Sequence, residues 1–306
     1  MSATSILFDA PGPRARARHR LLTGVGILLA VAVVGGILWK LGEAGQLKAS
    51  LWTALLQPDV WTEYVVPGIL KTLQAAVVSI VLAVVFGLVF GMGRLSSIAP
   101  VRWVCGAVVE FFRAVPVLLM MYFAFRLYTV NNLFGVNFNS FYAVVTGLTL
   151  YNGSVIAELV RSGVHQLPKG QAEAGLSVGL TPTQTLRSIQ LPQALTAMLP
   201  ALVGQLVVIL KDSALGTAIT YPELLQQARD LGTAYGNVIP AYVLAAVLFI
   251  LINYGLTVLA GRVERRINRR GRAAGGAAAA AVMPGGPGTG AAAVDAGVGA
   301  SADSHR

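Results

Sequence analysis

Long apolar runs, separated by short polar or basic stretches, recur along most of this sequence. A helix needs roughly 20 mostly apolar residues to cross a hydrocarbon core about 30 Å thick. The runs that reach or approach this length cover residues 21–41, 65–93, 103–128, 141–160, 195–210 and 239–260. Because 55% of the residues are apolar and only 12% are charged, the composition lies outside that of soluble domains. The sequence therefore predicts an all-α integral membrane protein with about six transmembrane helices.

Arginines flank the outermost runs and predict the orientation of the chain. They are Arg14, Arg16, Arg18 and Arg20 before the first run, and Arg262, Arg265, Arg266, Arg269, Arg270 and Arg272 after the last. Loops on the cytoplasmic side carry an excess of Lys and Arg, and an even number of spans places both termini on one side. We therefore expect cytoplasmic N and C termini. This topology and anionic lipid headgroups explain the net charge of +10 without nucleic acid.

The two ends of the chain differ in character from the middle. The first apolar run is long for a signal-peptide core and lacks a clear cleavage site, so we expect a retained anchor rather than a cleaved signal peptide. After the last run the chain is rich in Ala and Gly, which predicts a disordered tail. We divide the chain into a basic N-terminus (1–20), an extra span with an outer loop (21–63), a transmembrane domain (64–265) and the tail (266–306).

The loop between the fourth and fifth runs predicts two short helices. The first covers residues 169–178 and ends at Gly179, where a left-handed cap costs little. The second begins at Thr181, whose capping box is completed by Gln184, and Pro192 limits its length. Such a pair predicts a rigid plug at the cytoplasmic membrane surface; the alternative is an amphipathic interfacial hairpin.

This loop resembles the EAA loop of binding-protein-dependent ABC permeases, whose pattern is Glu-Ala-Ala, a Gly four residues further on, and then Ile-x-Leu-Pro. The matching positions here are Glu173, Ala174, Gly179, Ile189, Leu191 and Pro192. The spacings from Glu173 to Gly179 and from Gly179 to Pro192 agree with the pattern. Gly175 stands where Ala is usual, which loosens the helix by up to about 1 kcal/mol but keeps a small residue.

Other stretches narrow the resemblance to permeases for polar amino acids. They lie at residues 110–118, 157–163, 191–194 and 210–215, and the similarity extends over roughly residues 64–265. The N-terminal portion is similar to a glutamate permease subunit of actinobacterial importers. The resemblance implies a permease in the bacterial cell membrane that imports a polar amino acid, with glutamate the first candidate.

The same resemblance implies the partners of the chain. The coupling loop, residues 163–194, would sit in a groove of an ABC ATP-binding subunit dimer, where Glu173 pairs with a basic residue while Ala174, Gly175 and Gly179 allow close approach. The chain lacks the Gly-x-x-x-x-Gly-Lys-Ser/Thr phosphate loop. We therefore expect a translocation subunit that is not itself an enzyme and binds no cofactor, with ATP and Mg held by the partner. A sibling permease or a second copy, and an extracytoplasmic amino acid binding protein, complete the expected assembly.

Charged residues within the apolar runs are candidates for the translocation path, because an ionisable group at membrane depth must be paired or face water. Glu158 and Arg161 are spaced to pair on one helix face, and Glu110 and Arg113 repeat this spacing. A purely structural role as ion pairs is the alternative. The candidate path residues are Arg113, Glu158, Arg161, Lys211 and Asp212.

Two further classes of function are weighed against this interpretation. An ion-coupled secondary transporter of amino acids is the main alternative, but it would show an internal repeat with paired broken helices, and the two halves show none. An intramembrane enzyme would need a nucleophile beside a base or metal. The three His are scattered along the chain, and no metal-ligand cluster is predicted.

Overall fold

The structure, a computed structural model, describes residues 12–281, with side chains described for residues 12–266. Contacts divide the chain into two units, Met1–Glu264 and Arg265–Arg306, and the first contains the sites discussed below. The α-helices are α1 Pro13–Glu43, α2 Ala49–Thr53, α3 Pro58–Val60, α4 Val66–Arg94, α5 Ala99–Ala114, α6 Val117–Asn131, α7 Asn139–His165, α8 Lys169–Ser177, α9 Pro182–Thr185, α10 Leu191–Asp212, α11 Leu224–Tyr235 and α12 Val238–Ala281. Short 3₁₀ or π segments lie at Ala54–Leu56, Trp61–Val65, Leu186–Gln190 and Ser213–Ile219.

The described residues include 5 helical stretches that are long and apolar enough to cross a membrane, or 6 if α5 and α6 together form one broken span. They are Pro13–Glu43, Pro58–Arg94, Asn139–His165, Pro182–Ile219 and Val238–Arg266. The prediction of a helical membrane protein with about six spans is therefore confirmed, and every predicted run except 103–128 lies on one of these stretches.

The expectation of one helix through residues 103–128 is wrong. α5 and α6 meet at an angle of 99°. Val115, which precedes Pro116, is extended with φ −86° and ψ 129°, because the proline ring disfavours helical backbone at the preceding residue. The connection therefore turns the chain sharply between α5 and α6.

Helix α7 forms the centre of the fold, and α4 packs along it through small residues. The buried positions of α4 are all small, from Gly68 through Ala76 to Gly91. A Cβ added to Gly87 would collide with Ile156 of α7, and one added to Gly91 would lie 3.0 Å from Val160. Only glycine permits this approach of two helices, so Gly87 and Gly91 form a small-residue packing face toward α7.

Pro192 does not end the second helix of the loop as predicted. The π segment Leu186–Gln190 carries the chain from α9 directly into α10, and Pro192 lies in the first turn of α10. The amide of Leu191 donates to the carbonyl of Leu186, five residues earlier. A wider turn of this kind relieves the contact between a proline ring and the carbonyl before it. Pro67 follows the π segment Trp61–Val65 in the same way.

The helices at the two ends of the described chain are longer than predicted. None of the residues of α1 is buried within the described part of the chain, so its apolar surface faces outward on all sides. α12 continues to Ala281, so residues 266–281 of the predicted tail are helical. The remainder of that tail, residues 282–306, lies outside the described residues.

Candidate functional site

The loop between α7 and α10 folds as a helical hairpin, here called the EAA hairpin and comprising residues 169–190. Gly179 has φ +84° and separates the two helices, as the sequence predicted. The amide of Gln184 donates to Thr181 Oγ1 at 3.3 Å, and the amide of Thr181 donates to Gln184 Oε1 at 2.8 Å. The predicted capping box is therefore confirmed, and it fixes the start of α9 without help from distant residues.

Gly175 holds the two arms of the EAA hairpin together. It is buried, and a Cβ at this position would lie 2.6 Å from Thr185 Cγ2 and 3.0 Å from Ile189 Cδ1. The close approach that Gly175 permits is thus within the hairpin, whereas we had expected it to serve contact with a partner. This packing also accounts for Gly where the related loops usually have Ala, because α9 leaves no room for a methyl group.

The outer surface of the EAA hairpin is exposed and partly apolar. Glu173 and Ala174 are both exposed, and the carboxylate of Glu173 forms no ion pair within the described residues. Leu176 is 49% exposed and Val178 is 76% exposed. Exposed apolar side chains beside a free carboxylate are typical of a surface that binds another protein.

The end of the predicted EAA motif lies elsewhere. Leu191 is half-buried and packs on the main hydrophobic core, whereas Pro192 is exposed at the start of α10. Gln193 donates to Gln171 Oε1 at 3.0 Å and ties α10 to α8. Leu191 therefore anchors the hairpin to the helix bundle, and its side chain is less available for contact with a partner protein than those of the exposed hairpin residues.

Ion pairs join α4, α5 and α7 into one network of arginines and glutamates. The predicted pair forms between Arg161 Nη2 and Glu158 Oε1 at 2.7 Å. Arg113 Nη1 lies 3.4 Å from Glu110 Oε1 and 3.5 Å from Glu158 Oε2. The two predicted pairs are thus parts of the same network, and three of the five candidate path residues lie in or beside it.

Arg94 is the centre of this network, although it was not among the candidate path residues predicted from the sequence. It donates to Glu158 Oε2 at 2.7 Å and to Glu110 Oε1 at 2.9 Å, and its side chain is only 11% exposed. Glu158 lies 64 positions away along the chain, so no local spacing could indicate the contact. The network contains one more arginine than glutamate, and it therefore keeps a net positive charge.

Lys211 and Asp212 lie away from this network, at the end of α10 where the 3₁₀ segment Ser213–Ile219 begins. A Cβ on Gly216 of that segment would contact Val144 of α7. Val144 is about 21 Å from Glu158 along α7, at 1.5 Å per residue. The structure therefore places the five candidate path residues in two groups near opposite ends of α7.

A second connection, between α10 and α12, is deeply packed; it is here called the Glu223 segment and comprises residues 213–237. Glu223 is fully buried and caps α11 by accepting from the amides of Leu225 and Gln226, each at 2.8 Å. Burial raises the pKa of Glu223 to about 7, although these two hydrogen bonds oppose the shift. The amide of Leu224 donates to Thr72 Oγ1 at 3.0 Å and Tyr221 donates to the Lys71 carbonyl at 2.9 Å, which fastens the segment to α4.

Neither the capping role of Glu223 nor its burial was predicted from the sequence. Glu at the first position before a helix is a weak signal, because Ser, Thr, Asp and Asn are the usual N-caps. Among the described residues, no group of three or more His, Cys, Asp or Glu is arranged to hold a metal ion.

Comparison with known proteins assigns the chain to one class, the membrane subunits of ABC importers. The sequence profile of the family described as binding-protein-dependent transport system inner membrane component matches residues 83–269. The chain belongs to this family. It is a multi-pass membrane protein, and the alternative of an ion-coupled secondary transporter loses its support.

Individual relatives agree with this assignment. The glutamate transport system permease protein GluD of Corynebacterium glutamicum is 47% identical over 229 residues, which is 75% of this chain and 84% of that protein. The probable glutamine ABC transporter permease protein GlnP of Bacillus subtilis is 36% identical over 202 residues, 65% of this chain and 91% of that protein. A chain in the crystal structure of an amino acid ABC transporter with histidines superimposes with a TM-score of 0.60 at 26% identity, covering 66% of this chain and 92% of that one.

Proposed function

We propose that this chain is the membrane subunit of an importer for a polar amino acid, with glutamate as its substrate, and that ATP hydrolysis in a separate subunit drives transport. The substrate assignment is supported by the 47% identity to a glutamate permease. The observation that carries the mechanism is the EAA hairpin, whose exposed face has no partner within the described residues.

The ATP-binding subunit binds this exposed face. Leu176 and Val178 supply the apolar contact, while Glu173 pairs with a basic residue of the ATPase. Burial of apolar side chains at the centre of an interface contributes most of its binding energy. ATP and Mg²⁺ are held by the partner, since this sequence contains no phosphate loop.

The rigid EAA hairpin transmits the movement of the ATPase to the membrane helices. Its second arm continues through the π segment into α10 without a break, and Gln193 ties the first arm to the same helix. A displacement of the hairpin therefore moves α10 as a unit. The ion-pair network with Arg113, Glu158 and Arg161, and Lys211 with Asp212, are candidates for lining the path near its two ends.

Both termini lie on the cytoplasmic side together with the EAA hairpin. The basic residues in the first turns of α1 and at the end of the last span support this orientation. Counting α5 and α6 as one broken span gives 6 crossings, which returns the chain to the starting side. A sibling permease or a second copy completes the path, and an extracytoplasmic binding protein delivers the amino acid.

Co-purification tests the docking of the ATPase. The chain, extracted with detergent from its own membranes, is expected to retain an ATP-binding subunit, which mass spectrometry identifies. Glu173→Arg and Gly179→Asp should lose that subunit while still inserting in the membrane. Glu63→Arg is the matched control, because Glu63 is also exposed but lies at the start of the span that contains α4. Recovery of the ATPase with Glu173→Arg, or its absence from the wild type while other complexes survive, would contradict the proposal.

Uptake tests the substrate. Proteoliposomes that contain the purified complex and its binding protein should accumulate labelled glutamate only when ATP is supplied, and unlabelled glutamate should compete better than glutamine. Preferential uptake of glutamine would keep the transport mechanism but reject glutamate as the substrate.

A further inference from the structure

A pocket of about 480 Å³ opens where α4, α5 and α7 meet. Arg94 from the end of α4, Arg102 from the first turn of α5 and Arg161 from α7 line it, together with Glu110 and Trp103 of α5. The arginines come from three different helices, so the tertiary fold brings them together. A shared pocket between basic side chains is a common arrangement for anion binding.

The described residues do not balance the charge of the pocket. Three arginines and one glutamate line it. Arg94 and Arg161 also bind Glu158, which does not line the pocket, at 2.7 Å each. Arg102, however, forms no ion pair within the described residues and donates only to the carbonyl of Ser96, at 3.0 Å. Its guanidinium therefore has donors available for an anion, and a guanidinium binds a phosphate through two parallel hydrogen bonds.

The position of the pocket places it at the boundary between lipid and water. Arg94 is the last residue of α4, and Arg161 lies in the last two turns of α7. α5 begins at this level, with Arg102 in its first turn, and then runs back along α4, since Cys105 lies beside Gly93 and Phe112 contacts Phe86. Its exposed residues include Trp103 at 75%, Val104 at 63% and Phe111 at 61%. Arginines at the ends of spans reach the headgroup region, and the exposed apolar side chains beside them face the acyl chains.

We propose that this pocket binds the phosphate group of an anionic phospholipid, with phosphatidylglycerol as the simplest case. Arg102 is the main phosphate ligand, Arg94 and Arg161 supply further positive potential, and Trp103 packs against the glycerol and the first acyl carbons. A free phosphate ion has the same charge, but it makes no use of the exposed apolar face beside the arginines. The headgroup would hold the first turn of α5 at the membrane surface, at the opposite end of that helix from Pro116.

Native mass spectrometry of the assembled transporter in detergent tests this site. The wild-type complex should retain added phosphatidylglycerol in preference to phosphatidylcholine. Arg102→Gln should reduce that retention about fivefold, the loss expected for one arginine near an anionic surface. Arg229→Gln, the same change on α11 far from the pocket, should have no effect. Elution of each variant as an intact complex ensures that the comparison concerns folded protein.

Three results would overturn the proposal. Equal retention of phosphatidylglycerol by wild type and Arg102→Gln would show that the lipid binds elsewhere. Displacement of phosphatidylglycerol by inorganic phosphate, with no preference among lipids, would identify a free ion as the ligand. Retention of phosphatidylglycerol and phosphatidylcholine to the same extent would mean that the headgroup charge is not recognised. Loss of the lipid preference in Arg102→Gln, with partial recovery in Arg102→Lys, would support a site that recognises both the charge and the geometry of the phosphate.

Discussion

The EAA hairpin and the Glu223 segment are both short helical connections between membrane-spanning helices, but they differ in how much of their side-chain surface is buried. The EAA hairpin buries little beyond Gly175, Thr185 and Leu186, and it exposes Leu176 and Val178. The Glu223 segment buries a carboxylate, a tyrosine and most of one face of α11. The exposed face of the EAA hairpin is therefore suited to binding another protein, whereas the Glu223 segment is part of the hydrophobic core of the chain.

This difference predicts which property each region controls. Changes on the exposed face of the EAA hairpin should weaken subunit binding and leave the stability of the chain unchanged. Changes in the Glu223 segment should lower the stability of the membrane domain. The predictions below test this division, beginning with the largest expected effect.

The pH dependence of stability should originate in part from the Glu223 segment. Glu223 has a pKa of about 7 in the folded chain, whereas an unfolded glutamate titrates near about 4.3. Because the folded pKa is the higher one, its contribution is fully present below the unfolded pKa and is lost as the pH rises through about 7. The difference corresponds to on the order of 3 kcal/mol.

Thermal unfolding in detergent, measured from about pH 5 to about pH 8, checks this prediction. The wild type should lose stability across that interval, and Glu223→Gln should lose much less. Glu63→Gln is the control, since that carboxylate is exposed. Parallel curves for the wild type and Glu223→Gln would mean that the buried carboxylate does not titrate in this range.

Gly175→Ala should destabilise the EAA hairpin by about 1–3 kcal/mol, because the new methyl group collides with Thr185. The better helix propensity of Ala, up to about 1 kcal/mol, offsets only part of this cost. Thr185→Ala should restore the room, and it is an inexpensive change because Thr185 Oγ1 is buried without a hydrogen-bond partner among the described residues. Hydrogen exchange of the hairpin amides should be faster in Gly175→Ala and near the wild-type rate in the double variant.

Gly232→Ala supplies the matched change in the Glu223 segment. Its Cβ would lie 2.8 Å from the Cα of Val238, so the collision involves backbone and cannot be relieved by a side chain. We expect this variant to lower the thermal midpoint of the whole domain, while Gly175→Ala affects only the hairpin. If both variants lowered the thermal unfolding midpoint equally, the two regions would not differ in their contribution to stability, and the proposed division would be wrong.

The sequence predicted those features of the two regions that depend on residues close together in the chain, such as helix caps. Thr181, Gln184 and Gly179 act within a few positions, so their capping roles followed from spacing alone. The sharp bend between α5 and α6 at Pro116 was not predicted, because a proline within an apolar run is compatible with either a kink or a break in the helix. Arg94 and Glu223 were missed because their partners or their burial depend on helices far along the chain.

Val178→Asp should reduce recovery of the ATP-binding subunit at least about tenfold, which corresponds to about 1.4 kcal/mol. A carboxylate placed at the centre of an apolar contact must lose its hydration when the partner binds. The thermal midpoint should not change, since Val178 is exposed in the chain alone. Val136→Asp is the control, because Val136 is also exposed but lies in the loop between α6 and α7. A lower midpoint for Val178→Asp would assign this residue to the fold rather than to docking.

The smallest effects are expected from two glycines that differ only in the region they serve. Gly179 has φ +84° and Gly236 has φ +64°, and a Cβ at either position would meet no atom within 4 Å. Alanine therefore introduces backbone strain of roughly 1–2 kcal/mol without a collision at both sites. In Gly236→Ala this strain should lower the thermal midpoint, because the next residue, Asn237, is buried and bonded to the Leu51 carbonyl. In Gly179→Ala it should instead loosen the tip of the EAA hairpin and weaken recovery of the ATP-binding subunit. If Gly179→Ala lowered the midpoint as much as Gly236→Ala, the EAA hairpin would have to be regarded as part of the core.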